Sequence, residues 1–356
     1  MASILVVLII LGCAVYQYFK GSLVKSLATL IIVVCGGVVA FGYFEFLSGV
    51  LFVGRGADGR FPSLMPWAQL LSFVLLFVLT FAVLQTIASQ LISKNINLGL
   101  WPERIGRVCC GILLGLMLSG LLLTALAMGP LSHKYPYQRF DSTRPDVERP
   151  NRVLLNADGF ATGWFSLISR GGVSGKRSFA ALHPGFLDQL YLNRHAGREV
   201  SIITGPKVIG VPREKAVWAG SEDLKDTEGR AVEPKTGCNL TIVRVEIKRN
   251  ILKQKGGKFT LSQLRLICKQ KDDAKEPFAG KGINVYPIGR LKTPELLEIK
   301  RLNDLIVVEH DNFTSGRMFM DFAFEVPKNF VPVLVEFKQN NISEVPVPVV
   351  TAEQGR

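Results

Sequence analysis

The sequence predicts a membrane α-helical bundle of four transmembrane helices, followed by a soluble, mostly β domain built as an antiparallel sandwich. Three observations carry this prediction. Four long apolar segments fall within the first 131 of 356 residues. Charge is unevenly spread: up to Ser132 there are 7 Lys+Arg and 3 Asp+Glu (net +4), and the remainder holds 35 and 26 (net +9). From about Cys238 onward, apolar and polar residues alternate in short runs separated by Pro, Gly and Asn, the period of half-buried strands.

The first segment, residues 3–19 (SILVVLIILGCAVYQYF), carries no charge and approaches the roughly 20 residues needed to cross a bilayer. Only Met-Ala-Ser precedes it, without the basic residues of a secretory signal, so it reads as a retained helix. The other spans are residues 22–46, 67–92 and 102–128, the last with Trp101 at the interfacial belt and Pro102 in a first-turn position. Deep inside these spans there is no Asp, Glu, Lys, Arg or His; Lys25 and Glu45 sit near segment ends. Ion-coupled transport needs ionisable groups near the midplane, so a transporter acting alone is disfavoured. Gln17, Gln69, Thr80, Gln85 and Ser119 read as satisfying helix contacts.

Small residues set how the spans meet. Gly111 and Gly115 form a GxxxG pair, flanked five residues away by Gly106 and Gly120, and Gly36, Gly37 and Gly42 do the same for the second span. In lipid, hydrophobicity does not drive helices together, and small residues let backbones approach closely. Of these, Gly36, Gly37, Gly106, Gly111, Gly115 and Gly120 are the expected helix-packing positions, and a homo-oligomer is one partner option. For orientation, the first and third connections hold Lys20, Lys25, Lys94, Arg104 and Arg107 against Arg55 and Arg60 in the second. Five basic residues against two place the first and third loops in the cytoplasm, and both termini outside.

An uncharged first helix ends in a short basic-glycine turn (YQYFKGSLVKSLATL). A third helix of FVLLFVLTFAVL type follows, and a basic connection then leads into a glycine-rich fourth helix (LGLWPERIGRVCCGILLGLMLSGLLL). On these features residues 1 to about 130 resemble the CvpA family, the colicin V production proteins of bacterial inner membranes. One departure is visible, since that family often has an acidic residue before the first helix and Met1-Ala2-Ser3 has none. The resemblance implies an inner-membrane protein linked to colicin V or toxin production and to envelope physiology. It implies no catalytic residues.

Residues 132–235 open on a polar stretch (HKYPYQRFDSTRPDVERPNR) whose composition cannot bury a core. GFATGWFSLISRGG and FAALHPGFLDQLYLNRHAGR then read as short amphipathic helices, with Phe186, Leu187, Leu190 and Leu192 clustered. Phe160, Trp164, Phe165, Leu167 and Ile168 are expected to pack on the domain rather than graze the membrane. His183 and His195 have no nucleophile-carboxylate arrangement near them in sequence and read as surface or turn histidines. GRGADGR (54–60) and SRGGVSGKR (169–177) miss the phosphate-loop spacing GxxxxGK[ST] and read as turns.

Residues 236–350 carry the strands. NLTIVRVEIKRN sets Leu240, Ile242, Val245 and Ile247 against polar neighbours, with a slip near Val243. KFTLSQLRLICKQ repeats the device after the turn sequence 255–258 (KGGK), so a hairpin is expected there. INVYPIG, DLIVVEH, MFMDFAFEVP and VPVLVEFKQ follow, and the pattern is similar to immunoglobulin-like accessory domains of bacterial envelope proteins. Asp304, Glu309, His310 and Asp311 form the most polar cluster and read as a solvated strand end. Cys238 and Cys268 are two unpaired thiols or a disulfide across adjacent strands, and no Cys/His spacing suits zinc.

Together these features predict a non-enzymatic protein without a cofactor, supporting toxin production or secretion and organising the envelope. An oligomeric channel component and an envelope enzyme are the alternatives. The basic balance favours membrane lipid, an anionic envelope polymer or an acidic envelope protein as partner. No arginine-rich helix or basic-aromatic ribbon is present, which argues against nucleic acid.

Overall fold

The computed structural model describes residues 1–20, 22–53, 61–92, 99–170, 177–195, 200–205, 207–249 and 257–346. The turn sequence 54–60 lies wholly outside them, as do residues 171–176 of the 169–177 turn and the first two residues of the 255–258 turn. Four helices form where the chain is apolar: α1 (Ala2–Lys20), α2 (Leu23–Ser48), α3 (Ala68–Leu91) and α4 (Leu100–Met128). Each is long and apolar enough to cross a membrane. A helix satisfies all of its own backbone groups, the condition for a span in lipid. Ser22 caps α2, its hydroxyl accepting the Lys25 amide at 3.4 Å.

Each of the six packing glycines marks a close approach, whereas a Cβ on Gly42 would meet nothing within 4 Å. A Cβ on Gly111 would stand 2.7 Å from Ala14 Cα, and one on Gly115 2.5 Å from Ile10 Cα, so α1 and α4 run antiparallel with backbones nearly touching. Gly106 faces Leu23 at the start of α2, and Gly36 faces the Phe77 ring of α3 at 3.2 Å. The other two meet α5 (Ala157–Arg170): Gly120 faces the Ala157 carbonyl and Gly37 faces the Phe165 ring. Ser26 donates to Gln17 Oε1 at 2.7 Å and Ser119 to the Leu116 carbonyl at 3.0 Å, so these span residues serve helix contacts.

Two short helices, α6 (Phe179–Leu182) and α7 (Phe186–Arg194), follow α5 and join a core with the membrane helices. Phe41 and Phe44 of α2, Phe73 of α3, Phe165, Phe179 and Phe186 form its centre, with ring centroids 4.8–6.3 Å apart. The polar stretch after α4 has neither helix nor strand, yet it is not free of the core. Phe140 is fully buried and Arg139 nearly so, both packed over α7.

The strands are β1 (Ile209–Gly210), β2 (Val217–Ala219), β3 (Lys225–Asp226), β4 (Cys238–Lys248), β5 (Lys258–Thr260), β6 (Leu264–Gln270) and β7 (Ile283–Val285). Then come β8 (Pro287–Thr293), β9 (Leu296–Ile299), β10 (Leu305–Val307), β11 (Arg317–Pro327), β12 (Phe330–Phe337) and β13 (Asn341–Glu344). Among the described residues they make three sheets: β1-β4-β11-β8-β9-β3 with β2 also on β4, β13-β12-β6-β7, and the pair β10-β5. The two larger sheets share one core, built from Val243, Val245, Phe322 and Phe324 on one side and Leu264, Leu266, Val335 and Phe337 on the other.

Two expectations change here. The hairpin between the first two strands is absent, because β4 pairs with β11 while β6 pairs with β12. The reason is local: Leu261–Gln263 forms a 3₁₀ turn closed by a Thr260/Gln263 capping box, which redirects the chain between β5 and β6. Cys238 and Cys268 sit in different sheets as two unpaired thiols, the first of the two readings of the sequence. The pairing is also not wholly antiparallel, since β3 runs parallel to β9 for two residues. Asp226 ends β3 at once by accepting the amides of Glu228 and Arg230 at 2.8 and 2.9 Å.

Candidate functional site

The site grows out of β6 and β12. Arg265 and Glu336 are direct cross-strand partners, on the sheet face opposite the shared core. An exposed face would leave such charges in water, but α6 and α7 cover this one, and Leu182 packs there with Ile267 and Leu334. Arg265 and Glu336 end up fully buried and ion-paired. Charge in that position requires partners on all sides. Arg265 donates through Nη1 to the Pro184 carbonyl at 3.1 Å and to Asn284 Oδ1 at 2.7 Å, and through Nη2 to the Leu182 carbonyl at 3.0 Å. Gln189 Nε2 donates to the other oxygen of Glu336.

The network continues into the membrane helices through His183, between those two carbonyls in sequence. Its Nδ1 faces Gln189 Oε1 at 3.2 Å and its Nε2 faces Glu45 Oε1 of α2 at 3.1 Å. The second contact is ionic rather than a well-aligned hydrogen bond. Both ring nitrogens thus face acceptors, the arrangement of an imidazolium. Burial works against that charge, but the Glu45 carboxylate, with help from Glu336, outweighs it and holds His183 above the usual histidine range. The result is a chain Glu45–His183–Gln189–Glu336–Arg265 in which two carboxylates and two cations alternate. It joins one membrane helix to two strands of the β domain.

Two further ties run beside it. Arg139 donates to Asp188 Oδ1 at 2.6 Å and to the Tyr137 hydroxyl at 2.9 Å, and that hydroxyl donates to Asp158 Oδ2 at 2.6 Å. This links the stretch after α4 to α5 and α7. At the start of α3, Gln69 Nε2 donates to the Gln339 carbonyl at 3.0 Å, tying that helix to the turn between β12 and β13. Lys338 in the same turn is 3% exposed, and burial pushes its ammonium down to about 7. An open cleft of about 310 Å³, lined by Arg170, Asp188, Lys281, Asn284 and Tyr286, opens next to the network.

His183 is buried between α6 and α7, against the expectation of a surface or turn position, while His195 lies in the turn after α7 as expected but is buried there. His195 closes α7 against His133, with ring centroids 4.6 Å apart, and burial followed by the neighbouring His133 and Arg194 lowers it to about 4. Asp304, Glu309 and Asp311 do lie around the ends of β10; Asp304 accepts the Arg301 amide at 2.9 Å, and Glu309 and Asp311 are exposed. Among the described residues, no three His, Cys, Asp or Glu side chains converge as metal ligands would. Comparison with protein-family models, curated proteins and solved structures finds no match for this chain.

The ionic link between α2 and His183 gives a pH prediction. A histidine whose folded pKa is raised adds stability that is fully present below its unfolded pKa and is lost as pH rises through the folded value. Raising pH through and above the usual histidine range is therefore expected to weaken the hold of the β domain on α2, because His183 loses the charge that faces Glu45. The check is thermal unfolding in detergent across that range. His183→Gln should flatten the profile, and an unchanged slope in the variant would assign the pH dependence elsewhere.

Proposed function

We propose that this chain is a non-enzymatic scaffold of the bacterial envelope, its four helices forming an inner-membrane anchor of the colicin V production type. Its β domain, of immunoglobulin-like kind, stands on the extracytoplasmic side and presents a binding surface there in support of toxin production or secretion. The observation that supports this most is the buried chain from Glu45 to Arg265. Its charges are spent on one another, at the junction of anchor and β domain, so their chemistry is that of a rigid coupling. A scaffold needs its presenting domain held at a fixed height and angle to the membrane, and four paired charges beside the phenylalanine cluster suit that role. The net charge of +9 beyond Ser132 suits an anionic polymer or an acidic envelope protein.

Planar-bilayer recordings of the purified protein test the reading. A scaffold leaves the bilayer silent, whereas reproducible unitary conductance would replace it with a channel whose path forms between copies. Protease accessibility of a tag appended after Arg356 in intact spheroplasts tests the side. Protection until lysis would move the β domain, and the search for its partner, to the cytoplasm.

A further inference from the structure

Helix α5 has two apolar faces, and only one of them is buried. Ala157, Ala161 and Phe165 pack inward on α4 and α2, as the close approaches to Gly120 and Gly37 require. Phe160, Trp164 and Leu167 point away from the protein, Trp164 42% and Leu167 59% exposed, and Leu155 just before the helix is 63% exposed. A face of this kind in water is a large uncompensated apolar patch.

The level of α5 along the membrane helices says what covers that face. The 19 residues of α1 span about 28 Å at 1.5 Å per residue, close to the hydrocarbon thickness. Ala2 and Val6, at one end of α1, pack with Val153 and Ala157, so α5 begins at that rim. Gly37, where Phe165 docks, lies fourteen residues into α2, about 21 Å from the far end. The helix therefore runs between heights of roughly 21 and 28 Å, in the outermost layer of the bilayer on the β-domain side. Exposed Arg149 and Arg152 precede it at the rim and exposed Arg170 ends it, long basic side chains that can reach toward headgroup phosphates.

We propose that α5 is an interfacial membrane helix: its outer face, Phe160, Trp164 and Leu167 with Leu155, inserts into the boundary between headgroups and acyl chains. It does not cross the bilayer. The helix fixes how deep the bundle sits and holds the β-domain side of the protein against the membrane surface. This assignment rests on packing and height alone and is independent of the scaffold reading.

The test compares wild type with Trp164→Phe, full chain, in nanodiscs, so that the difference in emission reports Trp164 alone among the four tryptophans. Lipids brominated high on the acyl chain should quench that difference about twofold or more, and lipids brominated near the chain end should quench it less. Stronger quenching from the chain end would overturn an in-plane interfacial placement. Quenching by aqueous acrylamide with no effect of either bromolipid would overturn membrane contact altogether. Leu167→Cys, labelled with a spin probe and read by oxygen against aqueous nickel relaxation, gives the same answer by a second route. A probe reached by nickel and not by oxygen would overturn the placement equally.

Discussion

Arg265→Met is expected to destabilise the β domain by about 3–5 kcal/mol, the cost of leaving one member of a buried pair without the other. Glu336 has no route to water, being fully buried, and Gln189 supplies it only a neutral donor. The damage extends further than the pair. Arg265 also binds the carbonyls of Leu182 and Pro184, on either side of His183, so its loss unfixes the residue that reaches Glu45. Urea unfolding in detergent, read by the emission of Trp218 on β2, measures the effect. Adding Glu336→Leu should return most of the loss, because a buried ion pair replaced by apolar groups is often near neutral. Arg265→Lys should not, since an ammonium cannot reach Asn284, two carbonyls and a carboxylate from one position. A single variant within about 1 kcal/mol of wild type would mean the pair is not the anchor of this face.

How much of this was legible in the sequence differs by element. The four spans are plain because a helix in lipid must be apolar around its whole circumference, and nothing else in the chain competes with that signal. The strand β4 was legible in outline, and its slip near Val243 has a physical origin. Leu240 and Ile242 face one core with Leu224 and Leu297, while Val243, Val245 and Ile247 face the other. A strand covered on both faces breaks simple alternation. Pairing was not legible, because the capping box that splits β5 from β6 is a local turn inside what reads as one strand.

The site itself was hidden for a related reason. In LRLICKQ and VLVEF, Arg265 and Glu336 occupy the polar parity and look solvent-facing. Only the register of β6 on β12 sets them opposite each other, and only α6 and α7 remove them from water. Glu45 was visible as an acid near the end of a span. His183, which faces it at 3.1 Å, lies 138 residues away in a segment without strand or long-helix pattern. The outward residues of α5 show the same limit: Phe160, Trp164 and Leu167 are apolar by sequence, and whether they pack inward depends on which face α4 and α2 occupy.

Gly115→Val is expected to be the most damaging single change in the membrane helices, at about 3 kcal/mol or more, above the usual range for overpacking. That range assumes neighbours able to give way. Here the first added carbon already lies 2.5 Å from Ile10 Cα and 3.2 Å from Ile10 N and Ile9 O, all backbone atoms of α1 with no rotamer to change. Gly111, one turn away, holds α1 in the same grip, so α1 must leave α4 along its length rather than yield at a point. Its other end would follow, and Ala2 and Val6 would part from Val153 and Ala157 where α5 begins. Thermal stability in detergent should drop, and protease sites in α1 should open. Gly12→Val makes the same chemical change on α1, where a Cβ meets nothing within 4 Å, and should cost little. Equal losses from the two substitutions would show that valine itself, and not the contact, is at fault. The contrast also bears on self-association. A GxxxG stripe reads from sequence as a face for a second copy, but this one is filled by the chain's own first helix. Any partner must therefore dock on a different surface, and Gly115→Val should act on the monomer without needing a second chain.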